Sequence, residues 1–371
     1  MNEKLRCLRN KIRTMDLDGM IVSNPVNIKY LTNIEAEGTL VLARKENFFI
    51  TDGRYIEDVN STLTINDEII VCDIKDLSKE DFENFFLFCE NIGFEENYLT
   101  YAKYKEYMYK YRVNNFVETE NIIEKQRAIK DEEEIRKISK ACNLTDDCFE
   151  YITKFIKKGM TEKEIANEIE KYFKTHGADA LSFETIVASG PNSSKPHAVP
   201  TDRKIQSGDA ITIDMGCVYE GYCSDMTRTI FVDEINKEVQ EIYQLVLKNQ
   251  KQTINEMREG MVCKNVAKMV VNDFELNNHT LIHGLGHGVG LDIHELPVLG
   301  TKSEVILKSN MVITDEPGIY IPGKFGIRIE DTVLVGKSVG IPLTKSSKEI
   351  TIIKYKKEFK YSFFYFILRN L

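Results

Sequence analysis

The chain has 371 residues, of which 42% are hydrophobic and 29% are charged, and its net charge is −9. This length leaves room for two domains with a sizeable core. The acidic balance argues against nucleic acid as the main partner, because phosphate contacts need clustered Lys and Arg, and no run approaches the roughly 18 apolar residues that cross a membrane.

The first part of the chain, residues 1–126, has the pattern of an α/β domain. Short apolar runs bounded by turn residues alternate with predicted helices. We predict helices near Leu5–Met15 and Lys79–Cys89, and strands at Gly19–Val22, Thr39–Ala43, Phe48–Thr51, Ile69–Val71 and Ile92–Phe94. This part contains no histidine, so we expect a structural or oligomerising role for it.

A linker is predicted near Glu124–Asp131, and a second domain over residues 127–353. Acidic residues at 131–134 open a long helix, because negative charge suits the N-terminal end of the helix dipole. Thr161 and Glu164 form a capping box that starts the next helix, which Gly177 ends. The buried stripe of the long helix is predicted to contain Ile135, Ile138, Cys142, Thr145, Phe149, Ile152 and Ile156.

An internal repeat occurs within the second domain. Residues 158–166 resemble residues 259–267, and residues 207–214 resemble residues 309–316. Two matches in the same order predict two similar halves, each with a helix followed by a strand that ends in a carboxylate. The repeat pairs Asp214 with Glu316.

Three of the six histidines lie within residues 282–295, at positions 283, 287 and 294. Glycines at 284, 286, 288 and 290 make a helix unlikely here, since each costs about 1 kcal/mol relative to alanine. One interpretation is a glycine-rich turn with incidental histidines. The other is a bent or extended backbone that brings imidazoles close to a metal or a substrate.

Two predicted hairpins bring carboxylates together. Residues 211–216 and 224–230 read as strands joined by a turn at Tyr219-Glu220, which places Asp214 opposite Asp225 with their Cβ atoms about 5 Å apart. Like charges that face each other are destabilising unless a cation or a proton lies between them. The alternative is that one of the two points to solvent at a strand end.

The second hairpin repeats this arrangement. Residues 312–316 and 326–330 flank a loop that contains Pro322-Gly323-Lys324, so Glu316 is predicted to face Glu330. Arg328 shares the face of Glu330, because side chains two apart on a strand point the same way. The hairpins and the histidine segment together offer five candidate metal ligands.

These motifs resemble those of the pita-bread metallopeptidases, specifically the Xaa-Pro peptidases (aminopeptidase P and prolidase). The segments that carry the resemblance are residues 189–197, 213–216, 224–229, 283–290, 316–320 and 328–331. The resemblance extends to about residue 353. It implies an α/β (α+β) fold, in which a creatinase-like N-terminal α/β domain precedes a pseudo-two-fold pita-bread catalytic domain.

The resemblance also implies roles for particular residues. Two divalent metal ions would be bound by Asp214, Asp225, His287, Glu316 and Glu330, with Asp225 and Glu330 shared between them. The substrate-binding and catalytic histidines would be His197, His283 and His294. Arg328 would support the metal ligands, and Ala198 stands where a glycine is common in the family.

The function implied is that of a dinuclear-metal peptidase that hydrolyses the N-terminal Xaa-Pro bond of small peptides with a metal-bridging hydroxide. Glu316 is expected to take up the proton of the water, and His283 or His294 to hydrogen-bond the carbonyl oxygen. Four carboxylates and one imidazole favour Mn²⁺, with Co²⁺ and Zn²⁺ as alternatives.

Several functions remain open on the sequence. The first prediction is an Xaa-Pro aminopeptidase, which accepts longer peptides, and the alternative is an Xaa-Pro dipeptidase (prolidase), which is restricted to dipeptides. Remoter alternatives are a non-peptidase, creatinase-like hydrolase, which would not need the complete ligand set, and a non-catalytic binding module, for which loss of metal ligands would be expected.

Location and assembly are also expectations. The eight scattered cysteines include no Cys-x-x-Cys pair, and reduced thiols fit a cytoplasmic protein. We expect a homodimer that has no membrane partner. Residues 354–371 form an apolar C-terminal tail beyond the resemblance, and its role is not indicated by the sequence.

Overall fold

The computed structural model describes residues 2–63 and 68–354. The chain divides into two units, of which the first ends at Ile129 and the second begins at Lys130. The apolar tail noted in the sequence lies outside the described residues, apart from Lys354. Among the described residues, no helix combines the length and the apolar character needed to cross a membrane.

The first unit has helices packed around a mixed sheet. Its helices are α1 (Glu3–Thr14), α2 (Pro25–Thr32), α3 (Ile56–Thr62), α4 (Lys79–Asn84), α5 (Tyr101–Lys110) and α6 (Ile122–Arg127). Its strands are β1 (Gly19–Val22), β2 (Gly38–Leu42), β3 (Asn47–Thr51), β4 (Ile69–Asp73), β5 (Asn91–Phe94) and β6 (Asn115–Glu118). They lie in the order β4-β3-β2-β1-β5-β6, in which β2 runs antiparallel to both of its neighbours.

Two predicted elements of the first unit differ from the structure. The helix expected to reach Cys89 ends at Asn84. Phe88 has a φ of 65°, which a right-handed helix cannot include, so a helix could not have continued to Cys89. The expected linker near Glu124–Asp131 is partly helical. α6 runs to Arg127, and Arg127 and Ala128 within the expected linker are buried, so this segment packs into the fold.

The second unit contains longer helices and several sheets. Its helices are α7 (Glu132–Phe155), α8 (Glu162–Thr175), α9 (Lys237–Glu256) and α10 (Cys263–Leu276). Its strands are β7 (Ala180–Leu181), β8 (Ile186–Ser189), β9 (Ala210–Met215), β10 (Cys217–Tyr219), β11 (Tyr222–Cys223), β12 (Met226–Val232), β13 (Gly286–Gly288), β14 (Glu295–Leu299), β15 (Val312–Asp315), β16 (Gly318–Ile321), β17 (Phe325–Arg328), β18 (Asp331–Leu334), β19 (Ile341–Pro342) and β20 (Ile352–Ile353). The two larger sheets have the orders β20-β12-β9-β8 and β14-β13-β15-β18-β19.

The helix starts of the second unit follow the sequence signals. Asp131 and Thr161 each form a capping box with the glutamate three residues later, as predicted. Six of the seven residues of the predicted stripe are buried, and Ile135 is half-buried. These helices cover the sheets that carry the acidic residues, with Ile152, Ile165 and Ile213 in one apolar core.

The internal repeat is present in the backbone. Glu162 N–H donates to Arg203 O at 3.3 Å, and Cys263 N–H, at the matching position, donates to Val305 O at 2.9 Å. Gly159 and Gly260 precede these helices with φ angles of 88° and 87°. The second unit is therefore built from two halves with the same local geometry, which confirms the predicted pseudo-two-fold arrangement.

Candidate metal centre

The strands β9 and β12 position the first two candidate ligands. Asp214 lies in β9 and pairs with Thr227, not with Asp225, so the predicted register is wrong by two residues. The turn lies at Glu220-Gly221, and both residues have positive φ, 47° and 78°. Positive φ at both central residues is the geometry of a two-residue type I′ turn. The centre of the hairpin therefore lies one residue later in the chain than predicted.

The pairing of β9 with β12 is also interrupted before Asp225. A Cβ at Gly216 would lie 2.0 Å from Ser224 O, so the two backbone segments approach each other too closely there for any side chain at residue 216. Asp225 is placed just before β12, next to this close approach. Because the register differs from the predicted one by two residues, an even number, the side chains of Asp214 and Asp225 still lie on one face of the sheet. Both aspartates line the same cavity.

The second hairpin has the predicted register. Gly318 pairs with Arg328 in β16 and β17, and Asp315 pairs with Asp331 in β15 and β18. Glu316 and Glu330 therefore occupy facing positions between the two strand pairs. The loop turns at Gly323, whose φ is 71°, and Lys324 N–H donates to Ile321 O.

The histidine segment has a bent backbone with a short strand at Gly286–Gly288, which fits the second interpretation of the sequence, a bent or extended backbone. His287 lies in β13 opposite Val298. The glycines on either side allow close contact, since a Cβ at Gly286 would lie 2.1 Å from Thr314 O and one at Gly288 would lie 2.2 Å from Leu296 O. The ring centroids of His287 and His294 are 4.2 Å apart.

All nine residues predicted for the site line one cavity of about 400 Å³. The cavity is bordered by Asp214, Asp225, His287, Glu316, Glu330, His197, His283, His294 and Arg328, together with Phe183, Glu184, Ile186, Pro196, Gly284 and Gly286. The site thus joins side chains from both halves of the second unit.

The candidate ligand atoms lie at distances suited to metal binding. Atoms of Asp225, His287 and Glu330 lie within 4.8 Å of one another. His287 Nε2 is 3.5 Å from Asp225 Oδ2 and 3.7 Å from Glu316 Oε1. His287 Nδ1 is 3.1 Å from Gly288 O. Because that carbonyl only accepts, Nδ1 carries the hydrogen, which leaves the Nε2 lone pair facing the carboxylates.

The electrostatics of the site also call for a cation. Burial raises the pKa of Asp225 and Glu330 well above the ordinary carboxyl value, and neighbouring carboxylates add to both shifts. Burial likewise raises the pKa of Glu316 to about 7. Burial lowers the pKa of His283 and His287 to about 4. Bound cations reverse the penalty on the carboxylates, because they favour the ionised form.

The donor set therefore fits divalent metal ions. Asp214 Oδ1 is buried and has no hydrogen-bond partner among the described residues, whereas its Oδ2 accepts from Arg328 at 2.6 Å. A buried carboxylate oxygen without a partner is costly unless it binds a cation. The combination of several carboxylates with one imidazole suits hard divalent cations.

Arg328 connects much of the site. Its guanidinium donates to Asp214 Oδ2, to Thr227 Oγ1 at 3.0 Å, to Tyr320 Oη at 2.8 Å and to Pro196 O at 3.0 Å. Thr227 Oγ1 donates in turn to Glu330 Oε2 at 2.6 Å. One fully buried cation thereby orients two of the candidate metal ligands.

Tyr320 is a site residue for which the sequence suggested no role. Its hydroxyl is 3.0 Å from His283 Nε2, while His283 Nδ1 is 2.7 Å from Gly284 O. Since Nδ1 must donate to the carbonyl, Nε2 accepts from Tyr320. The sequence did contain one indication of this role. The predicted hairpin pairs the strand that contains Tyr320 with the strand that contains Arg328.

Two family models match the chain. The model for metallopeptidase family M24 matches residues 136–337. The model for the creatinase/prolidase N-terminal domain matches residues 4–129.

Individual proteins match along nearly their whole length. The chain is 34% identical to the Xaa-Pro dipeptidase of Pyrococcus furiosus over 94% of this chain and 100% of that protein. The structure of an Xaa-Pro dipeptidase from Bacillus anthracis is similar with a TM-score of 0.88 and 34% identity, covering 94% of this chain and 99% of that one. That of an X-Pro aminopeptidase from Thermotoga maritima has a TM-score of 0.83 and 29% identity, covering 93% and 100%.

Proposed function

Because the chain belongs to metallopeptidase family M24, we propose that it is an exopeptidase that hydrolyses the bond between a first residue and a following proline. The observation that carries this proposal is the one cavity in which the four candidate carboxylate ligands, His287, the three other histidines of the site and Arg328 meet. The similarity to Xaa-Pro dipeptidases and to an X-Pro aminopeptidase supports the preference for proline.

The proposed ligands of two divalent ions are Asp214, Asp225, His287, Glu316 and Glu330. When bound, such ions acidify a water molecule and polarise the carbonyl group of the substrate. The preponderance of carboxylates supports manganese over zinc. This chain's own groups then supply the proton transfer and the hydrogen bonds.

Glu316 is proposed as the group that moves the proton. Its Oε1 lies in the cavity, 3.7 Å from His287 Nε2, and a carboxylate held beside the reacting water can accept a proton and pass it on. Glu316 would take a proton from the water and give it to the departing proline nitrogen. Thr314 Oγ1, 3.4 Å from Glu316 Oε1, orients the carboxylate.

The histidines divide into two groups. Both ring nitrogens of His283 are engaged within the protein, by Gly284 O and Tyr320 Oη. The rings of His197 and His294 form no hydrogen bond among the described residues and line the cavity. His294 is therefore proposed to hydrogen-bond the substrate carbonyl oxygen as charge develops there, and His197 to contact the substrate.

Dipeptides are the proposed substrates, supported by the Xaa-Pro dipeptidases among the relatives. An aminopeptidase acting on longer peptides is the second candidate, favoured by the likeness to the Thermotoga maritima structure. The manganese-loaded protein should hydrolyse Ala-Pro faster than Ala-Pro-Ala, measured by release of free alanine. Faster cleavage of Ala-Pro-Ala would favour the aminopeptidase, and cleavage of neither peptide would contradict both.

The cell compartment and the assembly remain proposals. All eight cysteines are free thiols in the structure, which supports a reducing, cytoplasmic environment. A homodimer is proposed, and light scattering after size-exclusion chromatography would measure it directly.

A further inference from the structure

The side chain of His197 reaches the cavity from a loop, residues 190–203, that we call the His197 loop. It starts with a 3-10 turn, Gly190–Ser194, directly after β8. Pro196 and His197 border the cavity, and no helix or strand includes either residue. The position of the imidazole therefore depends on contacts that hold the loop from outside.

Glu162, the first residue of α8, supplies such contacts. Its side chain is buried, with 0% of the residue exposed. Its Oε1 accepts from Ser189 N at 2.6 Å and from Ser189 Oγ at 2.7 Å. Its Oε2 accepts from Asn192 Nδ2 at 2.9 Å, Thr201 N at 2.9 Å and Thr201 Oγ1 at 2.7 Å. The donors lie on both sides of His197 in the sequence, so one carboxyl group joins the two ends of the loop.

These contacts require that both oxygen atoms of the Glu162 side chain accept hydrogen bonds. Ser189 and Thr201 each direct a backbone N–H at a different oxygen of Glu162. A backbone N–H always donates, whereas an amide side chain has an oxygen on one side and an N–H₂ group on the other. Glutamine at this position would therefore set one donor against another, whichever way its amide were turned.

The second half of the unit shows that the fold itself does not need a carboxylate here. Cys263 occupies the position of Glu162 in the repeat and makes the matching backbone hydrogen bond. It is also fully buried. A small, weakly polar side chain thus satisfies the same helix start, which indicates that the carboxylate of Glu162 serves the loop.

We propose that Glu162 is a positioning residue that fixes His197 against the substrate in the cavity. This inference rests on the proposed function for its kinetic consequence, but its structural content does not. A displacement of about 1 Å in a substrate-contacting group can cost about a hundredfold in rate. Glu162→Gln should therefore lower kcat/KM for Ala-Pro by about ten- to a hundredfold and leave manganese affinity unchanged.

A double-mutant cycle tests whether the effect passes through His197. In the background of His197→Ala, Glu162→Gln should change kcat/KM by less than about twofold, because the group that it positions is absent. Glu164→Gln is the matched control. Glu164 lies two residues further along the same helix, and within the described part of the chain its carboxylate accepts hydrogen bonds from Thr161 alone. The proposal is overturned if the fold-losses in kcat/KM caused by Glu162→Gln and His197→Ala multiply in the double variant. It is also overturned if Glu162→Gln weakens manganese binding as strongly as it lowers kcat/KM.

Histidine-selective NMR provides a readout that needs no substrate. The chain has six histidines, and His197→Ala assigns the signal of interest. Glu162→Gln should shift the ring signal of His197, while Glu164→Gln should not. An unshifted signal overturns the proposal. A shifted signal in a protein that cleaves no Xaa-Pro peptide would uphold the positioning role and reject the proposed function.

A milder variant covers the case in which Glu162→Gln does not fold. Thr201→Val removes the hydroxyl that donates to Glu162 and accepts from Arg203 N–H at 3.2 Å, and it keeps the carboxylate and the backbone N–H of Thr201. It should shift the same His197 signal and lower kcat/KM about threefold, which corresponds to the loss of one ordinary hydrogen bond. An unshifted His197 signal in a folded Thr201→Val protein would again overturn the proposal.

Discussion

The two halves of the second unit share a backbone plan but contribute different chemistry to one cavity. In the first half, α8 and β9 lead to Asp214, and in the second half α10 and β15 lead to Glu316. The first half supplies two aspartates and His197. The second supplies both glutamates, three histidines and Arg328. A repeated scaffold therefore fixes where side chains enter the site, while the residue type at each entry point determines its chemistry.

The loops that follow the matching helices are held differently. In the first half, the buried carboxylate of Glu162 accepts hydrogen bonds from residues at both ends of the His197 loop. In the second half, Lys130 Nζ lies 2.6 Å from Glu295 Oε1, next to His294, and both side chains are almost fully buried. The segments that carry His197 and His294 are thus held by unrelated polar contacts in the two halves.

The largest expected effect tests whether both halves serve one centre. Asp225→Asn in the first half and Glu330→Gln in the second should each lower kcat/KM for Ala-Pro by about a thousandfold or more, because each removes a charge that a divalent ion requires. Metal content measured by mass spectrometry should fall in both. Asp202→Asn, in an exposed ion pair with Lys163, is the control. Near-normal activity in either site variant would mean that the halves act separately.

A smaller effect is expected at the contact that joins the halves. Arg328, from the second half, donates to Asp214 and to Pro196 O in the first. Lysine cannot reproduce the planar set of donors, so Arg328→Lys should weaken manganese binding by about ten- to a hundredfold, measured by calorimetry. Arg136→Lys, at an exposed position, should bind manganese normally. Unchanged affinity in Arg328→Lys would show that each half orients its own ligands.

The smallest effect concerns the pH dependence of the metal-free protein. The pKa of Glu316 is raised to about 7, so its ionisation opposes folding. The metal-free wild type should therefore lose free energy of unfolding relative to Glu316→Gln as the pH rises from about 4.5 to about 7, with no further change above. Urea titrations of both proteins at several pH values measure this difference. A constant difference across that range would show that ionisation of Glu316 does not destabilise the metal-free protein.

Much of the local structure was predictable from the sequence. Capping boxes at Asp131 and Thr161 depend on residues three apart, and the facing positions of Glu316 and Glu330 follow from a turn at Gly323. The predicted pairing of Asp214 was wrong because the register of this hairpin depends on the type and position of its turn. Glu220 adopts positive φ before Gly221, a conformation that few residues other than glycine adopt readily.

The motifs, the alternation of helix and strand, and the residue types that approach the cavity could all be predicted from the sequence. Only the tertiary structure revealed that Tyr320 orients His283, that Arg328 reaches Pro196, and that Glu162 holds both ends of the His197 loop. Helix caps and turns depend on neighbours a few residues away. These contacts depend on how distant segments pack, because a buried polar group must find its partners wherever the fold places them.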